Sequence, residues 1–557
     1  MPPEQPTPRQ IADRYVEALA ALDPLVATAL GIGEHDDRLP DLSPEGTAAR
    51  DDLARSTLAE AQAAVAAGPL DEQERRCATV LVERLEAGLA VSEAGEHLRA
   101  VNNLFSPVQR IRQVFLLMPT ATVDDWAVVA RRMTAVGEAY DSYRRSLEVG
   151  AAQGSFAAPR QVEVVVDQLD QWLAGDRSWF EVHVAAGPDE LRAELDDAAR
   201  TASAAAGRVR DHLRDVYVPA AAGTPDAVGA ERYGTWARQW TGADLDPEEA
   251  YDWAWQEHER IDAEMRTEAS LVVPGATPAE AMRHLDLHGE AVDGEEAVRD
   301  RLQAMMDEAI ADLDGTHFDL ADPVRVVEAM IAPPGGAAAP YYTRPSMDFS
   351  RPGRTWLPTM GRTRFPWWGL VSTWYHEGVP GHHLQLAQWV HVAPQLSTYQ
   401  TSIGSNSAVT EGWALYAERL MDELGYLRTP GERLGYLDAQ QLRAVRVIID
   451  IGMHLELELP TSQPFHPGER WTPSLARELL GRDSGRDEAF LDSELVRYLG
   501  MPAQAITYKL GERAWLAGRA AAQERHGAAF DAKAWHMAAL SMGTLGLGDL
   551  ADELGRL

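Results

Sequence analysis

Three histidines and a glutamate fall within eight residues in the run Trp374-Tyr375-His376-Glu377-Gly378-Val379-Pro380-Gly381-His382-His383-Leu384-Gln385. That density of imidazole and carboxylate suits hydrolysis at a metal. A zinc hydrolase uses neutral imidazoles on one side of the ion, an open position for substrate, and a carboxylate that takes the proton of the attacking water. The familiar form is His-Glu-x-x-His, because residues four apart share one helix face. Here four residues, not two, separate Glu377 from His382. On a regular helix His382 would stand about 120° around from His376, and His383 would return to the same face about 10.5 Å along the axis. Neither geometry closes on one ion, so the pattern requires a distorted backbone. Pro380 supplies the break, since it cannot donate to an upstream carbonyl. Gly381 tolerates the angles that follow. A broken turn brings His376 and His382 onto one Zn²⁺, with Glu377 as general base.

A third ligand must come from another element. In Ala408-Val409-Thr410-Glu411-Gly412-Trp413-Ala414-Leu415-Tyr416-Ala417-Glu418 two carboxylates stand seven apart on an apolar helix face. A carboxylate there is costly unless paired or bound to a cation. Glu411 is expected to be the ligand, and Glu418 to orient a ligand histidine from behind. Further on, Arg443, Arg446, Asp450 and His454 recur at helical spacing, and Arg446, Asp450 and His454 line one stripe. Asp450 is read as a second carboxylate behind the ligands. After a helix break at Pro502 come Tyr508 and Lys509, either of which could stabilise the oxyanion of a tetrahedral intermediate.

The elements that must position these groups are mostly helical. Apolar residues recur at three and four positions from Arg9 to Ala29 and on to about Val216. The Pro- and Gly-rich stretch 218–225 reads as a linker, giving an N-terminal helical region 1–217 and a catalytic region 218–557. Helices are expected from Pro247, near Pro278 to Asp286, and from Gly294 to Leu313. Val324 to Ile331 is β-branched, and Pro333 to Pro366 mixes Pro, Gly and aromatics. Two to four short strands are expected there, with helices resuming near Trp368.

Composition excludes other classes. The 557 residues carry 51 Lys+Arg against 86 Asp+Glu, a net charge of −35. Nucleic acids and anionic membranes are therefore not expected partners. One cysteine, Cys77, allows no intrachain disulfide and no Cys-built zinc site, and it reads as a packing residue. Gly-x-Ser-x-Gly and phosphate-loop motifs are absent. The opening residues lack a basic and then apolar leader pattern, so a cytoplasmic protein is expected.

The run from His376 to Gln385 resembles the signature of a bacterial family catalogued as domain of unknown function 885. Other pieces of the resemblance fall in order along the chain. They are Asp23-Pro24 with Leu30 to Gly33, Tyr341-Tyr342 with Pro345-Ser346 and Asp348, and Arg351 to Gly353. Glu411 to Glu418, Arg443 to His454, and Arg497-Tyr498 with Pro502, Gln504-Ala505, Tyr508-Lys509 and Gly511 complete it. Ile451 stands where the resemblance leads one to expect Thr. The family resembles gluzincin zinc peptidases, with thimet oligopeptidase and angiotensin-converting enzyme as distant relatives. That resemblance implies one large two-lobed helical body with a cleft and a small β-sheet near the metal. It also favours His382, which follows Gly381 directly, over His383 as the second ligand.

The resulting expectation is a zinc-dependent peptidase cleaving short peptides. Glu377 is its base and Tyr508 its oxyanion donor, while Tyr341, Tyr342, Arg446, His454 and Lys509 are candidate substrate contacts. Two alternatives use the same residues: a metal-dependent amidase of a non-peptide metabolite, and a non-catalytic helical scaffold with a relic metal site. Glu377 speaks against the last, since a structural zinc has no need of a general base. Substrate preference and oligomeric state are not encoded in these patterns.

Overall fold

The computed structural model describes residues 6–332, 339–482, 484, 486 and 488–557. The architecture is mostly helical, with five short strands among the described residues. No helix among them is long and apolar enough to cross a membrane. Contacts divide the chain into two compact units. One comprises Met1–Pro69, Arg84–Thr235 and Val496–Met501; the other comprises Leu70–Glu83, Trp236–Leu495 and Pro502–Leu557.

In the first unit the helix Arg192–His212 packs against Val123–Thr134, Val136–Ala152, Pro159–Leu173 and Trp179–Val184. Its buried stripe is small (Ala198, Ala199, Ala202, Ala205 and Ala206), which lets neighbouring helices approach larger residues such as Met133 and Tyr140. The helix expected from Arg9 to Ala29 is two helices, Pro8–Leu22 and Pro24–Leu30. Pro24 has no N–H to continue the first, and the Asp23 carboxylate accepts from the N–H groups of Leu25 and Val26 to open the second. The stretch 218–225 begins with a helical turn, Val218–Ala220, which continues the π-turn Leu213–Tyr217 inside this unit. Pro219 is tolerated there because the first turn of a helix has no use for its N–H.

The second unit is built on the helix Pro430–His454, buried along almost its whole length and packed on Pro247–Val272. Thr429 and Glu432 close a capping box at its start. Two strands, β1 (Ala291–Asp293) and β5 (Arg364–Pro366), pair antiparallel. The second sheet has the order β2 (Val327–Ile331), β4 (Gly353–Leu357), β3 (Tyr341–Thr343), with β2 parallel and β3 antiparallel to β4. Gln303 satisfies the free edge of β2. Its carbonyl accepts from Ala329 N at 2.7 Å, and its amide donates to Val327 O at 3.0 Å. The strand expected from Val324 starts three residues later because 322–325 form a 3₁₀ turn. Of the Pro/Gly-rich stretch read as strands and loops, 333–338 lie outside the described residues, and β1 was not expected at all. Its three residues carry too little pattern to stand out.

The helices Ser407–Glu423 and Thr507–His526 meet glycine to glycine. A Cβ on Gly412 would lie 2.4 Å from the carbonyl carbon of Gly511, and one on Gly511 would lie 2.1 Å from Ala408 O. Gly412→Ala and Gly511→Ala are therefore expected to destabilise the protein by about 1–3 kcal/mol through overpacking. Gly88→Ala, where a Cβ meets nothing within 4 Å, should be neutral or stabilising by up to about 1 kcal/mol. Urea denaturation of the three variants checks this. Equal midpoints would show that the crossing has slack.

Candidate metal centre

The helix Val371–Glu377 ends at Gly378, and a second helix, His382–His391, begins after a four-residue break. The Val379–Pro380 peptide in that break is cis. Gly381 N donates to Tyr375 O at 3.0 Å, and His383 N donates to Gly378 O at 3.1 Å, so the chain folds back on the end of the first helix. A Cβ on Gly381 would lie 2.0 Å from His376 O and 2.4 Å from Tyr375 O. Only glycine permits this approach. Trp413 fixes the break from the side: its indole N–H donates to Pro380 O (2.9 Å) and Gly381 O (3.1 Å). His376 and His382 thus face each other from two helices, their ring centres 4.7 Å apart and their planes at 83°.

Glu411 enters from the helix Ser407–Glu423. Its Oε2 lies 3.4 Å from His376 Nε2 and 3.6 Å from His382 Nε2. Donors at 2.0–2.2 Å around a tetrahedral zinc stand about 3.3–3.5 Å apart. Oε2 is buried yet makes no hydrogen bond among the described residues. The two imidazole nitrogens lie near it without closing a hydrogen bond of normal geometry. His376, Glu377 and His382 likewise offer donor atoms within 4.8 Å of one another. A buried carboxylate oxygen between two imidazole nitrogens at ligand-to-ligand spacing is an arrangement that could hold a small divalent ion.

Behind this set, His376 Nδ1 is 2.8 Å from Glu418 Oε1. A carboxylate can only accept here, so Nδ1 carries a proton, and Nε2 is the ring nitrogen turned toward Glu411. Glu418 also accepts from the Ser372 hydroxyl, and Arg443 Nη2 lies 3.4 Å from its Oε1. Burial alone would raise Glu418 and Glu411. Arg443 with His376 and Ser372 holds Glu418 below the usual carboxylate range, and the two imidazoles hold Glu411 well below it. Burial alone would lower His376, but Glu411 and Glu418 outweigh it and raise the imidazole to about 9. Burial raises Glu377, although both imidazoles and Arg443 oppose it.

His383 takes no part in the donor set. Its Nε2–H donates to Val324 O at 2.8 Å, leaving Nδ1 to accept from the Tyr342 hydroxyl at 2.9 Å. A Cβ on Gly353 of β4 would lie 2.5 Å from both His383 Nδ1 and the Tyr342 oxygen. Tyr342 is thereby a brace between sheet and helix, and Tyr341 stacks on Trp356. Arg446 gives two N–H groups to Glu494 and lies over the Tyr508 ring at 4.8 Å. Asp450 accepts from Ala503 N at 2.9 Å, and His454 is fully buried on the core helix. Lys509, expected near substrate, is instead a structural cation. Fully buried, it gives its three N–H groups to Glu257, Gln440 and Glu512. Reading the sequence for donors missed Ser372 and Trp413 and gave Arg443 no role. Their work is to hold other groups, and only the fold reveals which.

Burial pushes His383 down to about 4, against the opposing bond to Val324. An unfolded chain protonates histidine near pH 6.5. The contribution of His383 to stability is therefore complete above about pH 6.5 and is lost as pH falls toward 4. An NMR titration should find the His383 ring neutral at pH 5; a midpoint near 6.5 would contradict this burial.

No curated protein matches the chain. Several solved chains resemble it, among them the following two. The "putative lipoprotein" from Colwellia psychrerythraea superposes with a TM-score of 0.85 at 22% identity, covering 99% of this chain and 98% of that one. The "putative lipoprotein of unknown function" from Shewanella oneidensis superposes with a TM-score of 0.75 at 18% identity, covering 99% of this chain and 100% of that one. At such identities the likeness is one of fold. A family profile described as "Bacterial protein of unknown function (DUF885)" matches residues 24–554. The chain belongs to that family.

Proposed function

We propose that this protein is a metal-dependent hydrolase, and that its reaction is the zinc-assisted cleavage of short peptides. One observation carries the reading: the unbonded, buried Glu411 Oε2 faces His376 Nε2 and His382 Nε2 at 3.4 and 3.6 Å. These three residues would hold the ion. Zinc in such a set supplies Lewis acidity toward an amide carbonyl and makes water a nucleophile near neutral pH.

The rest of the work falls to the chain. Glu418 holds a proton of His376 on Nδ1, so that in the metal-loaded protein the other nitrogen would present its lone pair. Glu377 adjoins this imidazole, and burial brings its acidity closer to neutrality. A carboxylate so placed can take a proton from water and return it to the departing amine. Tyr508, set against Arg446, is the candidate for binding the developing oxyanion. We carry the cytoplasmic location with this proposal. Two fold neighbours are described as lipoproteins, and cell fractionation decides between the compartments.

Glu377→Gln should retain one zinc per chain and lose at least about 10²-fold in turnover of a peptide mixture. Metal analysis with a mass-spectrometric digest reads both, and unchanged turnover would remove Glu377 as the base. Glu418→Gln should weaken zinc about 10–100-fold, because the amide no longer fixes the His376 tautomer. Competition with a chromogenic chelator measures that affinity. Wild-type protein that takes up no zinc would overturn the metal assignment itself.

A further inference from the structure

Three pieces of chain supply the proposed donor set, and they are tied together unevenly. The helix Val371–Glu377 is tied to the helix carrying Glu411 through side chains, since His376 and Ser372 both donate to Glu418. The break 378–381 is tied to its own two helices, by Gly381 N on Tyr375 O and His383 N on Gly378 O. Between that break and the helix Ser407–Glu423, the hydrogen bonds among the described residues are the two from the Trp413 indole. They reach Pro380 O at 2.9 Å and Gly381 O at 3.1 Å. His382 directly follows Gly381, and Glu411 stands two residues before Trp413. One N–H thus joins the two halves of the set, across which Glu411 Oε2 and His382 Nε2 stand 3.6 Å apart.

The indole is itself held. Trp413 is fully buried. Its ring centre lies 4.9 Å from that of Trp515 and 5.4 Å from that of Tyr416. His536 and Phe318 stand at 6.2 and 6.4 Å, both edge to face. Close-packed rings on several sides fix the direction in which the N–H points.

We infer that Trp413 is a positioning residue of the metal centre: its indole N–H sets how His382 stands toward Glu411, and through that the affinity for the ion. This rests on the reading of His376, His382 and Glu411 as ligands. Ligands bind one ion tightly when they are already held at bonding distance from one point; freedom left in any of them must be frozen on binding and weakens it. The break is where such freedom would arise. Gly381 has the widest backbone freedom of any residue type, and Pro380 has no N–H by which it could be held. Their carbonyls remain as handles, and Trp413 takes both.

The test compares two tryptophans of one aromatic cluster in the full-length protein. Trp515 is also fully buried, and its indole donates to Val409 O at 3.3 Å, a carbonyl of the Glu411 helix and not of the break. Trp413→Phe and Trp515→Phe each remove one indole N–H from the same core. Zinc affinity is read by chelator competition, stability by the urea midpoint of the metal-free protein, and ligand geometry by the visible spectrum of the Co²⁺-loaded protein. Trp413→Phe should weaken zinc about 10–100-fold and change the Co²⁺ spectrum, whereas Trp515→Phe should stay within about twofold of wild type with its spectrum unchanged. Both should lower the urea midpoint. A third protein carries benzothienylalanine at position 413, which keeps the indole shape with sulfur in place of the N–H. It should reproduce the zinc loss at a urea midpoint near that of wild type, so the test does not depend on Trp413→Phe folding. Wild-type zinc affinity in the benzothienylalanine protein overturns the inference. So does an equal zinc loss in Trp515→Phe, which would make the effect one of packing. Either result leaves the metal reading standing. Absence of zinc uptake by every protein, wild type included, would sink the metal reading and this inference with it.

Discussion

Burying carboxylates beside imidazoles is the constraint around which the second unit is arranged. Glu411, Glu418 and Glu377 are each largely removed from water, and an unpaired charge in such a place costs several kcal/mol. Each is stabilised by something different. Glu418 has a histidine N–H, a serine hydroxyl and the Arg443 charge. Glu411 has the imidazole pair. Glu377 has none of these as a direct hydrogen-bond partner, and its carboxyl rises accordingly. Three carboxylates in one neighbourhood thus acquire three different acidities from their surroundings alone, which is how one site can hold both a ligand and a base.

The backbone geometry serves this arrangement through glycine. Gly381 lets the chain double back at 2.0 Å from where a Cβ would strike His376 O, which puts His382 opposite His376. Gly412 and Gly511 let the helix carrying Glu411 and Glu418 sit against its neighbour without a side chain between them. Gly353 lets β4 close over the His383–Tyr342 pair. In each case a missing methyl lets a polar group take its place: His382 beside Gly381, Glu411 beside Gly412, and the His383–Tyr342 pair against Gly353. Trp413 joins two of these places, since it follows Gly412 in the chain and its indole holds the carbonyls of Pro380 and Gly381.

Much of the local chemistry was legible because it is written in residue type. Pro380-Gly381 announces a broken helix, and the seven-residue step from Glu411 to Glu418 announces two carboxylates on one face. The split at Asp23-Pro24 was equally available, since aspartate before proline is a stop and a cap together, but the apolar periodicity across it masked the signal. What the sequence does not carry is pairing across distance. Lys509 follows a tyrosine after a helix break, as a substrate-binding lysine would. Nothing nearby tells that Glu257, more than 250 positions upstream, accepts one of its protons. His382 and His383 are adjacent and chemically identical. They are separated only by Val324 and Tyr342, which the fold brings to the second and not to the first.

Charge balance ties these points together. Elsewhere in the second unit buried acids and bases are matched closely, as where Lys509 and Arg419 meet Glu257 and Glu512. Around His376 the match fails on the protein's own groups. Three carboxylates face one arginine, and His376 makes up part of the difference by holding a proton that burial disfavours. Raising His376 to about 9 is the form that imbalance takes in the protein alone. The divalent cation proposed among His376, His382 and Glu411 would correct it by two charges at once, with neutral imidazoles as its ligands. The surplus of negative charge here and the 3.4 and 3.6 Å spacing of Glu411 Oε2 from the two imidazoles both support the proposed site.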